Sequence, residues 1–190
     1  MAAAVCLFAC DEVRVEIRAG NAHDLSVCLK MDTTFETEYV WQMEARQTSG
    51  DIALGFHLSR LPRPVKAQSG TTPERVAFDA QNGGTLFVAD DAGEILGFAD
   101  VTVSEWNQAA QINQIAVALA HRRKGIGTRL MRAIITWARQ KHLRAVLLDA
   151  PTKAHPAIRL AQKQGLVFCG YHDQFYPNRD ITLFFALNLR

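Results

Sequence analysis

No apolar run in the body of this chain approaches the roughly 20 residues that a membrane-spanning helix needs. The opening Met1 to Cys10 is apolar, but it lacks a basic region and runs into Asp11 and Glu12, so it reads as a frayed segment or a first edge strand. Cysteine is scarce and unpatterned. Cys6, Cys10, Cys28 and Cys169 form no CxxC, and no histidine lies at zinc-finger spacing, so no metal is expected. A disulfide framework is unusual in a chain with its own core, which predicts reduced thiols in a cytoplasmic protein. An excess of one charge is also missing: 21 Lys and Arg face 19 Asp and Glu, leaving no strong field for nucleic acid or an anionic membrane. There is no internal repeat and no low-complexity segment. What remains, 190 residues of which 48% are hydrophobic, is enough for one soluble domain spanning the chain.

The stretch Ile112 to Met131 breaks two local rules at once. An apolar run, Ile112 to Val117, passes through a short polar turn into Gly125-Ile126-Gly127, where a helical pattern begins with Ile126, Leu130, Ile134, Trp137 and Ala138 on one face. Each glycine there costs about 1 kcal/mol relative to alanine. Arg122, Arg123 and Lys124 crowd the end at which the helix dipole repels cations. A bound polyanion resolves both conflicts: it neutralises the cations and accepts bonds from amides that glycines let it approach. The expected guest is a phosphate, and the plainer alternative is a solvated basic turn.

Ahead of this stretch, Val13 to Arg18 alternates as a half-buried strand, and Asn21 or Asp24 caps a short helix through Lys30. Phe35 to Glu44 has the alternation of a strand with one aromatic and one acidic face, paired with Ile52 to Leu58 across Ser49-Gly50-Asp51. Prolines, serine and glycine between Leu61 and Thr72 predict a surface loop. Thr72-Pro73-Glu74 starts a helix that ends by Asn82-Gly83-Gly84. Thr85 to Ala89 and Ile95 to Val103 form a hairpin, and Gln111 to Val117 is a third antiparallel strand. Beyond the signature helix, Ala145 to Leu148 reads as a central strand. A helix from about Pro156 to Gln164 is closed by Gly165, and Val167 to Tyr176 and Ile181 to Leu189 are strands.

The motif Arg122-x-x-Gly125-x-Gly127, after a strand ending in Ile115-Ala116-Val117, resembles the acyl-CoA signature of the GNAT superfamily of N-acyltransferases. The resemblance extends over residues 71 to 176. The segment Gly170 to Tyr176 and the step Trp137-Ala138-Arg139 are similar to streptothricin acetyltransferases. The resemblance implies a GNAT-type α/β fold, a mixed and largely antiparallel sheet with splayed central strands flanked by helices. It implies acetyl-CoA as co-substrate, its pantetheine arm along Ile115, Ala116 and Val117, and its diphosphate on the amides of Arg123, Lys124, Gly125, Ile126, Gly127 and Thr128, with Arg122 nearby.

The implied reaction is direct attack by an amine on the thioester in a ternary complex. It needs a base for the ammonium proton, a donor for the oxyanion, for which the Val117 amide is the candidate, and help for the leaving thiolate. Many members carry an acid on the strand before the signature and Asn-x-x-Ala-x-x-x-Tyr in the next helix. Here those positions hold Asn113 and Gln114, and Ala154 and Ala161. Tyr171 and Tyr176 remain as proton donors, and Asp173, Glu105, His155 and Asp149 as bases. Glu36, Glu38, Glu44 and Asp32, close to Tyr39 and Trp41, suit a cationic amine if that strand face borders the cleft; a solvated face is the alternative. Two other functions stay open: a non-catalytic acyl-CoA-binding regulatory module, and a basic nucleic-acid helix over His121 to Arg132, against which the glycines and small net charge count. The expected partners are acetyl-CoA and a small-molecule amine, with a homodimer allowed for and neither nucleic acid nor membrane.

Overall fold

The computed structural model describes residues 15–190. The Met1 to Cys10 segment and the first residues of the Val13 strand lie outside the described residues. β1 (Glu16–Ala19) enters α1 (Ala22–Cys28) through Asn21, whose side chain accepts the amides of His23 and Asp24 at 2.8 and 3.1 Å. Asp24 returns a bond to the Asn21 amide at 2.9 Å, so orphan donors are satisfied reciprocally. α2 (Pro73–Gln81) starts on Thr72, with proline in its first turn. β4 (Thr85–Asp91), β5 (Glu94–Ser104) and β6 (Ala109–Val117) form a meander, followed by α3 (Ile126–Gln140), β7 (Ala145–Pro151), α4 (His155–Lys163), β8 (Val167–His172) and β9 (Thr182–Asn188). The β4–β5 turn places Ala92 and Gly93 at φ 51° and 98°, the left-handed pair that matches strand twist in a two-residue hairpin.

Two expectations are corrected. The surface loop expected between Leu61 and Thr72 is strand as far as Ala67: β3 (Ile52–Ala67) continues through Pro62 and Pro64, paired with β2 (Phe35–Gln47) as a separate two-stranded ribbon. The register slips between Tyr39↔Arg60 and Thr37↔Val65, so residues 61–64 bulge and the prolines owe no ladder bond. The strand expected to run to Tyr176 ends at His172, and Tyr176 lies in the segment joining β8 to β9.

Among the described residues the main sheet has the order β1-β4-β5-β6-β7-β9-β8, with β6–β7 as its one parallel pairing. Alternation separates its faces. Phe87, Ala89, Ala99, Val101, Ile112, Val146 and Leu148 pack with Ile126, Leu130, Met131 and Ile134 of α3 and Ile158 of α4. Leu86, Val88, Phe98 and Ala116 point the other way, onto Cys28 of α1 and Val76 of α2. Each large apolar side chain that α3 buries contributes about 1.5–3 kcal/mol, enough to offset the glycines at its start. Trp137 is partly buried, edge-on to Phe87 at 5.6 Å.

Candidate active site

β6 and β7 are bonded only over Ala109–Ile112 and Ala145–Leu148. Beyond Ile112 and Leu148 they part, β6 staying with β5 as far as Val117↔Gly97 and β7 with β9 as far as Pro151↔Thr182. The parting coincides with a bulge in β6. Asp100 pairs with Gln114 but Val101 with Ile112, so Asn113 is the extra residue. Its carbonyl accepts a 2.6 Å bond from Thr71 Oγ1.

The mouth of α3 opens beside this gap. Gly125 is the N-cap at φ 84°, no side chain among the described residues caps the helix, and no acid stands in its first turn. The first-turn amides, including those of Ile126, Gly127 and Thr128, have no partner within the helix. A Cβ on Gly125 would meet nothing within 4 Å, whereas one on Gly127 would press on Leu160 Cδ2 at 3.3 Å. Arg123 and Lys124 are exposed at this mouth. Arg122 is engaged otherwise: its Nε donates to Val117 O at 2.9 Å and its Nη2 to Asp32 O at 3.2 Å. That guanidinium ties β6 to the α1–β2 connection. Ile115 and Val117 lean toward α3, and Ala116 is buried on the opposite face.

The proton-transfer candidates are dispersed. Glu105 sits in the β5–β6 turn, exposed, at the end of the sheet away from the gap, and is not brought to it. Asp173 follows β8, exposed in a bend. Tyr171 is paired opposite Leu183 with its ring 5.6 Å from Phe56. His155, on the first turn of α4, has its ring 5.0 Å from that of Tyr39, and burial lowers its pKa. Tyr176 and Asp149 come together: the phenol donates to Asp149 Oδ2, and Gln111 Nε2 donates to Oδ1 at 2.7 Å. Burial raises the Asp149 carboxyl above its ordinary range, against the pull of the Tyr176 and Gln111 bonds. Burial raises the Tyr176 phenol too, with the Asp149 charge adding to it.

A second carboxylate group was not singled out by sequence. Asn113 Nδ2 donates to Asp79 Oδ2 at 3.0 Å, Thr102 Oγ1 at 3.1 Å and Asp100 Oδ2 at 3.4 Å, while Arg75 clasps Asp79 at 2.8 and 2.9 Å. Burial and the neighbouring Asp79 raise Asp100 to about 7. The alternation of β5, which turns Phe98, Asp100 and Thr102 to one face, is the signal that could have found it.

A cleft beside Tyr176 is not lined by Glu36, Glu38, Glu44 or Asp32. That cleft, of about 380 Å³, is bordered by Lys66, Gly70, Pro151, Lys153, Tyr176 and Asp180, while Glu38 is exposed and paired with Arg60 at 2.9 Å.

The family model for the GNAT acetyltransferases matches residues 55–166, more than half of the chain. The chain belongs to the GNAT acetyltransferase family. It is 33% identical over 168 residues to a streptothricin acetyltransferase of Streptomyces lavendulae, covering 85% of this chain and 86% of that one. A crystal structure of a nourseothricin acetyltransferase superposes with a TM-score of 0.78 at 22% identity, covering 93% and 99% of the two chains. A Bacillus anthracis str. Ames protein, described as a streptothricin acetyltransferase and crystallised with acetyl coenzyme A, gives a TM-score of 0.73 at 18% identity, covering 94% and 99%. As a GNAT member this chain is an acetyl-CoA-dependent acetyltransferase, and the mouth of α3 fits that co-substrate, because among the described residues a Cβ on Gly125 would meet nothing within 4 Å and the first-turn amides suit a phosphate.

Proposed function

We propose that this enzyme acetylates a primary amine of a small cationic substrate of the streptothricin kind, by direct attack on bound acetyl-CoA in a ternary complex. The observation that carries the reading is the parting of β6 and β7 beside an uncapped helix mouth. The identity to a streptothricin acetyltransferase over most of both chains supports the substrate class. In this reading the backbone of Ile115 and Val117 holds the pantetheine arm, with the Val117 carbonyl already taken by Arg122 and its amide left as the oxyanion donor. The amides of Gly125 to Thr128, with Arg123 and Lys124, hold the diphosphate.

Acetyl-CoA supplies an activated acyl carbon and a thiol whose parent pKa of about 8.5 lets it leave with little acid assistance. Alanine at position 161 is therefore compatible with turnover. The proposed setting is the cytoplasm, in keeping with Cys28 and Cys169 as free thiols. Thiol release from acetyl-CoA, followed with a streptothricin, a polyamine, an aminoglycoside and a peptide, tests the reading. Turnover of the streptothricin is expected. Tight acetyl-CoA binding with no amine acetylated would point instead to the acyl-CoA-binding module.

A further inference from the structure

Asp149 occupies the first position of β7 past its last pairing with β6, at the vertex of the gap. Val146, Leu148 and Ala150 face α3, so alternation turns Asp149 to the opposite face of the sheet. Both carboxylate oxygens are held, one by Gln111 of β6 and the other by the Tyr176 hydroxyl. The Tyr176 ring is itself fixed against Gly70, where even a Cβ would collide with it. The same ring lines the cleft of about 380 Å³, a volume suited to a small-molecule ligand. The cleft therefore ends on a side chain that is bonded to Asp149. From α2, the charge of Arg75 also reaches the carboxylate; Gln111 is neutral, and Lys153 with Asp180, paired at 2.8 Å, rims the cleft.

Resting on the acetyl-transfer reading above, we propose that Asp149 receives the acceptor's ammonium group and takes its proton, with Tyr176 and Gln111 as positioning residues. One N–H bond of the ammonium breaks and its proton passes to the carboxylate. The freed lone pair forms the C–N bond as the C–S bond breaks, and the sulfur leaves with that electron pair. The second nitrogen proton ends on the thiol, and the proton on Asp149 returns to solvent through the cleft. This places the base on β7, whereas the polar side chains of β6 are the amides Gln111, Asn113 and Gln114. An amine entering from the cleft meets the carboxylate once the Tyr176 hydroxyl yields one oxygen to it.

Steady-state kinetics with streptothricin and acetyl-CoA, over a range of pH, tests the proposal together with acetyl-CoA affinity by calorimetry. Asp149→Asn keeps the shape and is expected to lower kcat by about 100-fold or more, with affinity for acetyl-CoA unchanged. Tyr176→Phe removes a bond that stabilises the charged carboxylate, so the acidic limb of kcat/KM should move to higher pH while the enzyme stays active. Wild-type turnover with an unimpaired Asp149→Asn, or an unmoved limb in Tyr176→Phe, overturns the assignment and leaves the acetyltransferase reading standing. A wild-type enzyme that acetylates no amine overturns that reading and this assignment with it.

Discussion

Leu148 stands opposite Ile112 as the last residue that joins β7 to β6, and the next residue of β6, Asn113, is the bulge. The opening is thus built into the sheet. Each strand keeps a partner on its outer side, so the inner edges face each other unbonded without either strand fraying.

Gly125→Leu should leave the fold in place and weaken acetyl-CoA binding. The new Cβ meets nothing within 4 Å, and the left-handed φ of 84° costs a non-glycine residue about 1 kcal/mol. Calorimetry is expected to show affinity weakened by about 100-fold, some 2.7 kcal/mol, with only a small fall in Tm. Wild-type affinity would remove the helix mouth from the site.

Gly97→Ala should damage the same site from behind. Gly97 faces Val117 across β5 and β6, and a Cβ there would lie 2.7 Å from the Ala116 carbonyl oxygen, a backbone atom that only moves with its strand. A loss of about 1–3 kcal/mol in urea unfolding is expected, with a raised KM for acetyl-CoA. An unchanged KM in a folded variant would mean that β6 shifts without consequence for the arm.

Asp100 should make stability fall as pH rises. Its folded carboxyl, raised to about 7 by burial and by Asp79, keeps a proton that the unfolded chain releases near its ordinary value of 3.8. Its contribution is full below that value and is lost as pH rises through the folded one. Urea midpoints at pH 5 and pH 8 should differ less in Asp100→Asn than in the wild type. An equal difference in the two proteins would refute the assignment.

Arg18→Met should have the opposite pH signature. Arg18 bonds the buried Asp24 at 2.6 and 3.0 Å and Asp90 at 2.8 Å. The Arg18 bond is the leading cause of the lowered Asp24 carboxyl, and for Asp90 it adds to the bond from the Gly93 amide. Stability from carboxyls lowered in this way is present above about pH 4 and disappears as pH falls. The variant should be clearly less stable at pH 7, with the gap to wild type narrowing toward pH 3 in thermal melts.

Local chemistry made most of the architecture legible. Thr72-Pro73 announced α2, Gly165 at φ 86° closed α4, and Gly125 marked the start of α3, because each signal acts on its own backbone. The ribbon's length was hidden by Pro62 and Pro64, whose usual meaning is cancelled by a register slip that only pairing reveals. The Asp149–Tyr176 contact joins residues 27 apart and the Asn113–Asp79 contact residues 34 apart, so no spacing rule reaches either. Glu105 lies in the β5–β6 turn, at the end of the sheet away from the gap.

The bulge at residues 61–64 has a further effect on β3, whose outer side pairs with no strand among the described residues. Pro62 and Pro64 offer no N–H to an incoming chain, so this border is a poor template for intermolecular β-growth. The two residues that obscure the ribbon in the sequence thus also blunt this part of its edge.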